Sequence, residues 1–297
     1  MIEIAHVSDL HFAWAPGDAG VPAHGFLNKR LVGYANLRFH RKNPQAIADA
    51  LGEDLRAHPP DHLAITGDLT NLSLPGEFRR ARDWIESLEL PPERVSVIPG
   101  NHDAYVPEGL DLFEETFAPW LPGPSWPREQ RAGPAALFGT SSSLPVPWFR
   151  AWGALGPEQL DSLSRLIDAS DAPLKAVLVH HPPVLGNGRP DKPTRNNRDG
   201  ARLIEVCRGR VDLILCGHTH EAFDYTFPGE RPLRVFCAGS TTMAPKTHGQ
   251  AATYNRYRSL GGRLNEIVVR GFDPQLGAFL SLSSRRPAPA GLTPAPS

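Results

Sequence analysis

The chain has 297 residues, 40% of them apolar, and a formal net charge of −1. That apolar share supports a sizeable core and excludes global disorder, and the near-zero charge excludes a general affinity for nucleic acid or anionic membrane. No apolar run reaches the length of a membrane span, and three cysteines (Cys207, Cys216, Cys237) without short spacing give neither a disulfide framework nor a zinc knuckle.

In chain order, short apolar runs alternate with amphipathic stretches. Ile2 to Val7 reads as a strand. Residues 13 to 42 are loop-like and basic. Ile47, Leu51 and Leu55 recur every fourth residue, as in a helix. Leu63 to Thr66 is a second strand. Phe78, Ala81, Ile85 and Leu88 trace a second helical stripe. Arg94 to Ile98 is a third strand, and the Pro-rich residues 119 to 134 read as an irregular surface loop. Ala135 to Thr140 is a strand. Leu160, Leu163 and Ile167 form a helix entered through Pro157. Four more strands follow at Leu174 to Val179, Val211 to Cys216, Leu233 to Cys237 and Ile267 to Phe272. Unbroken apolar strands separated by helices predict an α/β architecture with a layered sheet core. A single domain is expected over residues 1–280, with a Pro, Ala and Ser-rich tail, 281–297, expected to be disordered. The N-terminus carries no leader pattern, and a cleaved leader would remove the first motif below, so the expected location is cytoplasmic.

Five predicted strands end in one kind of chemistry. They close on "VSDLH" (Asp9, His11), "ITGDLTN" (Asp68, Asn71), "VIPGNHD" (Asn101, His102, Asp103), "VLVHHPP" (His180, His181) and "LCGHTH" (His218, His220). Gly67, Gly100 and Gly217 precede three of these clusters, where glycine permits a sharp turn and close backbone approach. In an extended chain residues two apart share a side, which would let Asp9 with His11, and His218 with His220, reach a common ion. In open α/β sheets ligands gather at the carboxyl ends of strands. Carboxylates, imidazoles and an amide without thiolate suit borderline-to-hard metals such as Mn, Fe, Zn or Ni. Seven donors, Asp9, His11, Asp68, Asn101, His180, His218 and His220, exceed the needs of one ion and suit two ions sharing a carboxylate.

The ordered set D-x-H, G-D, G-N-H-D, H-H-P and G-H-x-H, spread over residues 9 to 220, resembles the calcineurin-like metallophosphoesterase superfamily. The spacing of the last two motifs is similar to its cyclic-nucleotide phosphodiesterase branch. The resemblance implies a four-layer αββα sandwich with a dinuclear centre. It implies Asp9, His11 and His220 on one metal, Asn101, His180 and His218 on the other, and Asp68 bridging them. It also implies that His102 is catalytic and that Asp103 orients it. The reaction so implied is hydrolysis of a small phosphodiester by a metal-bridging hydroxide, with His102 stabilising charge or protonating the leaving oxygen. Two other readings stand beside it: a hydrolase of lipid-linked phosphodiesters or nucleotide-lipid pyrophosphates, and a metal-stabilised binding module without turnover.

Asn71, His181, Arg195, Asn196, Arg198 and His248 are candidate substrate contacts. Each has an ordinary alternative. Asn71 suits a turn or cap, His181 a supporting position behind the metals, and His248 the surface. Arg195, Asn196 and Arg198 suit a solvated loop. Residues 26–42 carry Lys29, Arg30, Arg38, Arg41 and Lys42 without an acid, with Leu27, Leu31, Tyr34 and Leu37 at helical spacing. That segment reads as a surface helix packed on the sandwich, or one contacting substrate or an anionic membrane. A nuclease is disfavoured by length and charge. Oligomeric state is open.

Overall fold

The computed structural model describes residues 1–13, 44–147, 149–243 and 252–287. The basic segment 26–42, His248 and the end of the tail, 288–297, lie outside the described residues. Among the described residues the strands are β1 (Ile2–Val7), β2 (His62–Ile65), β3 (Val95–Val97), β4 (Arg128–Ala132), β5 (Ala135–Gly139), β6 (Leu174–Leu178), β7 (Leu213–Cys216), β8 (Ala222–Phe227), β9 (Leu233–Ala238), β10 (Thr253–Leu260), β11 (Arg263–Asp273) and β12 (Ala278–Arg285). The α-helices are α1 (Pro44–Ala57), α2 (Pro75–Glu86), α3 (Gly109–Phe117), α4 (Pro157–Ala169) and α5 (Gly200–Cys207).

Two six-stranded sheets run β12-β11-β10-β1-β2-β3 and β4-β5-β6-β7-β9-β8. Alternation along the strands explains why they stack. In β1, Ile2 and Ile4 join a core shared with Ala135, Leu137, Leu174, Ala176, Leu213, Leu215 and Phe236 of the second sheet. Ala5 and Val7 point the other way, into a cluster with Ile47, Leu51 and Leu55 of α1 and Phe78, Ala81 and Ile85 of α2. On the far side, Leu160, Leu163 and Ile167 of α4 and Leu203 and Cys207 of α5 cover Val177, Ile214 and Val235. Three apolar interfaces thus separate helix, sheet, sheet and helix layers, the αββα arrangement the resemblance implied.

Two boundaries differ from the reading of the sequence. Within the Pro-rich stretch 119–134, Arg128–Ala132 pairs antiparallel with β5 as the edge strand β4. Its Arg128 is buried and ion-paired with Glu114, contacts that composition does not reveal. Likewise β12 continues to Arg285, past the expected boundary at 280, because residues 281–285 complete the ladder with β11. Polar residues suit an edge strand, so they masked it.

The fold positions the chemistry through strand direction. β1, β2 and β3 are mutually parallel, as are β5, β6, β7 and β9. The motif turns follow the carboxyl ends of β1, β2, β3, β6 and β7.

Candidate metal centre

Backbone pairing continues past the strands and sets the turns side by side. Asp9 N–H donates to Gly67 O at 3.0 Å, His11 N–H to Asp68 O at 2.9 Å and Phe12 N–H to Leu69 O at 2.7 Å. Across to the other sheet, His218 N–H donates to Asp9 Oδ2 at 3.1 Å. The approach is close enough to require glycine at two positions. A Cβ on Gly100 would lie 2.2 Å from both the backbone N and Oδ1 of Asp68. A Cβ on Gly217 would lie 1.9 Å from Ser8 Oγ.

Asp9, His11, Asp68, His218 and His220 all have positive φ, between 51° and 72°. Non-glycine residues there cost of order 1 kcal/mol or more each, and such strain collects at functional sites. The same observation corrects the extended-chain argument. His218 and His220 do not share an ion side: the left-handed turn sends them to different clusters.

The first cluster joins Asp9, His11, Asp68 and His220. His220 Nε2 is 3.1 Å from Asp9 Oδ1 and 3.1 Å from His11 Nε2, and His11 Nε2 is 3.8 Å from Asp68 Oδ2. The second joins Asn101, His180 and His218 with the other oxygen of Asp68. Asn101 Oδ1 is 3.1 Å from His180 Nε2 and 2.7 Å from His218 Nδ1, and His180 Nε2 is 3.4 Å from Asp68 Oδ1. Donors about 2.0–2.2 Å from a common cation sit roughly 3.0–3.5 Å apart, so these spacings fit two cations sharing Asp68. Two further observations agree. Asp9 Oδ1 is buried without a hydrogen-bond partner among the described residues. His11 Nδ1 faces the Thr70 carbonyl at 3.2 Å, which turns Nε2 towards His220 Nε2, and a cation between these two nitrogens would relieve their contact.

The turn after β2 orients three rings through its carbonyls. His180 Nδ1 donates to Thr66 O at 2.7 Å, His11 Nδ1 to Thr70 O, and His102 Nδ1 to Asn71 O at 2.7 Å. His102 is half-buried at the rim, stacked on Tyr105 with ring centroids 5.7 Å apart, and its backbone N–H donates to Asp68 Oδ1 at 2.7 Å. Asp103 does not play the orienting part expected of it. Its carboxylate accepts from Leu69 N–H, Thr70 N–H, the Thr70 hydroxyl and Gly100 N–H, so it clamps the β2 and β3 turns together. The ring of His102 is turned instead by the Asn71 carbonyl. The side chain of Asn71 is buried and donates to His11 O and Phe12 O, so Asn71 supports the turn rather than facing substrate.

The electrostatics follow from this crowding. Burial alone would raise Asp68, but His180, His102 and His11 around it hold its carboxyl well below the usual range. Burial opposes a proton on His180, yet the Asp68 charge overrides it and lifts His180 to about 9. His181 and His218 go the other way, pushed well below 6.5 first by burial and then by the charge on neighbouring His180. Burial and the Asp68 charge push Asp103 up to about 7.

The remaining candidates sit to one side of the second cluster. His181 is fully buried beside it, with Nδ1 at 2.8 Å from Ser142 Oγ. Arg195 is exposed and pairs with Asp191 at 3.5 Å, and its charge bears on both His181 and His218. Asn196 is half-buried with Oδ1 unpartnered among the described residues. The Arg198 guanidinium lies 3.3 Å above the Trp152 ring. Sequence reasoning missed a sixth strand end. After β9, the Ser240 hydroxyl donates to Asp9 O at 2.8 Å and the Thr242 hydroxyl to Leu10 O at 2.6 Å, tying the first motif to the second sheet. The run Gly239-Ser240-Thr241-Thr242, directly after an apolar strand, was the available signal.

An αββα sandwich whose facing strand ends build two nitrogen and oxygen cages around one shared carboxylate defines a dinuclear metal hydrolase. The chain belongs to the calcineurin-like phosphoesterase family, whose model matches residues 2–222. It is therefore a metal-dependent phosphoesterase. It is 30% identical over 224 residues, 75% of this chain and 74% of the relative, to a Synechococcus protein named "Probable cyclic nucleotide phosphodiesterase". It is 31% identical over 226 residues, 73% and 70% of the two chains, to the glycerophosphodiester phosphodiesterase GpdQ of Enterobacter lignolyticus. In fold it is similar to a dimetal phosphatase from Danio rerio, with a TM-score of 0.59 at 13% identity over 95% of this chain and 98% of the other. Among the described residues no helix is long and apolar enough to cross a membrane.

Proposed function

We propose that this protein is a phosphodiesterase for a small diester, with His102 as its catalytic residue. The observation that carries the reading is the pair of donor cages meeting at Asp68, with His102 held at their rim. The names of both relatives above, a cyclic nucleotide phosphodiesterase and a glycerophosphodiester phosphodiesterase, support a diester over a monoester.

Bound at these cages, two divalent ions would supply an acidified water and positive charge against the phosphoryl oxygens. Asp9, His11 and His220 would hold one, Asn101, His180 and His218 the other, and Asp68 both. The donor set of nitrogen and oxygen suits Mn, Fe, Zn or Ni. The chain's own residues do the rest. The backbone carbonyls of Thr66 and Thr70 fix the tautomers of His180 and His11 so that Nε2 of each faces inward. His102 commits its Nδ1 proton to Asn71 O, so a proton on Nε2 makes the ring a cation. Stabilising charge and donating to the leaving oxygen are then acts of the same protonated state. Arg195, whose charge bears on His218, is assigned to phosphate oxygens, and Asn196 and Arg198 flank Asn197, which donates to the His181 carbonyl beside the second cage. Three free, buried cysteines support a reducing, cytoplasmic setting.

The test is hydrolysis of bis-p-nitrophenyl phosphate by protein reconstituted with manganese, compared with p-nitrophenyl phosphate. The expected result is faster turnover of the diester. A protein that binds two ions yet prefers the monoester refutes the proposal.

A further inference from the structure

Tyr105 stands three residues after His102, and the chain between them turns tightly. Asp103 N–H and Ala104 N–H both donate to Gly100 O at 3.1 Å, as in one turn of helix. Side chains three apart on such a turn lie on one side. Ser73 locks the turn in place. Its buried hydroxyl oxygen accepts Tyr105 N–H at 3.0 Å, and its proton lies between His102 O at 2.9 Å and Asp103 O at 2.7 Å. Ser73 itself sits at a φ of 54°, a strained conformation that these contacts over-determine.

The two side chains are both half-buried, and their rings meet face to face. The planes differ by 12° with centroids 5.7 Å apart, the separation of an offset stack. The His11 ring crosses that of His102 at 86°, with centroids 4.9 Å apart. On its third side His102 Nδ1 is 2.7 Å from Asn71 O. That hydrogen bond alone is a pivot, since a ring held at one atom can still tilt about it. The face of Tyr105 sets the plane, and His11 limits travel from a second direction.

We infer that Tyr105 is a positioning residue for His102: its aromatic face, rather than its hydroxyl, holds the imidazole in the plane from which it serves the ester. The inference rests on the phosphodiesterase reading, in which His102 is the side chain that acts on substrate. A misplacement of about 1 Å in a reacting group costs roughly 100-fold in rate, so a ring free to tilt about one hydrogen bond forfeits much of its effect.

Four proteins separate the face from the hydroxyl: wild type, Tyr105→Phe, Tyr105→Leu and Tyr105→Met, each also combined with His102→Gln. They are loaded with manganese and compared by hydrolysis of bis-p-nitrophenyl phosphate, metal content and melting temperature. Both aliphatic variants are expected to keep two ions and a KM within about twofold of wild type, while kcat falls about 10- to 100-fold and the Phe variant rescues it. With His102→Gln already present, the same aliphatic changes cost no more than about twofold, because the ring they unseat is gone. Four results would overturn the inference: aliphatic variants at the wild-type rate, an equal fold-loss in both backgrounds, a Phe variant as slow as Leu, or an ion lost from an aliphatic variant. Proton spectra of the zinc-loaded proteins read the stack without turnover. The carbon-bound ring protons of His102, identified by their absence in His102→Gln, are expected to keep their ring-current displacement in Phe and lose it in Leu and Met. Shifts unchanged in all four proteins overturn the stack even where rates fall. A wild type that cleaves only the monoester, or neither ester, ends the phosphodiesterase reading, and the stack is then judged on the monoester rate or on the proton shifts.

Discussion

Replacing Gly100 by Ala adds one methyl group at the tightest contact between the motif turns. Its Cβ would stand 2.2 Å from Asp68 N and 2.2 Å from Asp68 Oδ1, against an ordinary contact of 3.4 Å or more, so the β2 and β3 turns must part by over an ångström. Those turns are held together by His102 N–H on Asp68 Oδ1 at 2.7 Å and by Asp103, which receives Gly100 N–H at 2.8 Å and Thr70 N–H at 2.8 Å. Hydrogen bonds to charged groups contribute about 1.5–3 kcal/mol each, so losing two of them predicts a destabilisation of about 3–6 kcal/mol. At roughly 2 °C per kcal/mol for a chain of this size, the melting temperature falls on the order of 6–12 °C. Because Asp68 serves both cages, both ions are lost together. Gly52→Ala in α1 is the control: its Cβ meets only the flexible end of Arg56 and the Trp84 ring at 3.3 Å, and Ala favours the helix, so its stability holds. The measurements are thermal melts of metal-free protein and elemental analysis after reconstitution. A Gly100→Ala protein that melts with the wild type and carries two ions refutes the claim that this contact sets the site.

Asp68→Asn is expected to lose both ions, whereas His102→Gln keeps both and lowers turnover by about 10²- to 10⁴-fold, read by elemental analysis and diester hydrolysis. A His102 variant emptied of metal contradicts its placement at the rim. Thr242→Val removes the hydroxyl bond to Leu10 O and loosens the Asp9 turn, predicting about 10- to 100-fold weaker binding of one ion in a metal titration. Equal loss of both ions argues against that local role. For pH, His6 and His62 are buried and burial depresses them, to about 3 and about 4. Such groups are neutral in the fold but take up protons when unfolded, so stability falls as pH drops from 6.5 towards 4. His62→Gln keeps a partner for Ser96 Oγ and flattens that acid slope by on the order of 3 kcal/mol at pH 4, measured by urea unfolding with chelator present. An unchanged slope removes His62 from the account.

The layered α/β class was legible because strands covered on both faces must be apolar throughout, and the helical stripes of α1, α2 and α4 follow directly from Leu and Ile spacing. The strands that escaped notice, β4, β8, β10 and β12, each pair with a neighbouring strand in the chain, but they are edge or polar-rich elements without the unbroken apolar run that marks a strand covered on both faces. Asp103 shows a second limit, at the scale of one side chain. Its neighbour in sequence is His102, but its hydrogen-bond partners are Leu69, Thr70 and Gly100.

What the linear chain determined by itself is the inventory and its place: carboxylates, imidazoles and an amide at the ends of apolar strands, in an order that belongs to this family. That much is local, since it depends on residue type and strand ends alone. Only the folded chain shows the physical means by which the inventory is shared out as the resemblance implied. Left-handed turns send His218 and His220 to different cages, backbone carbonyls of one turn set three rings, and Ser142 aims His181. These choices depend on where backbone groups from two separate sheets meet, and side-chain spacing carries no information about that meeting.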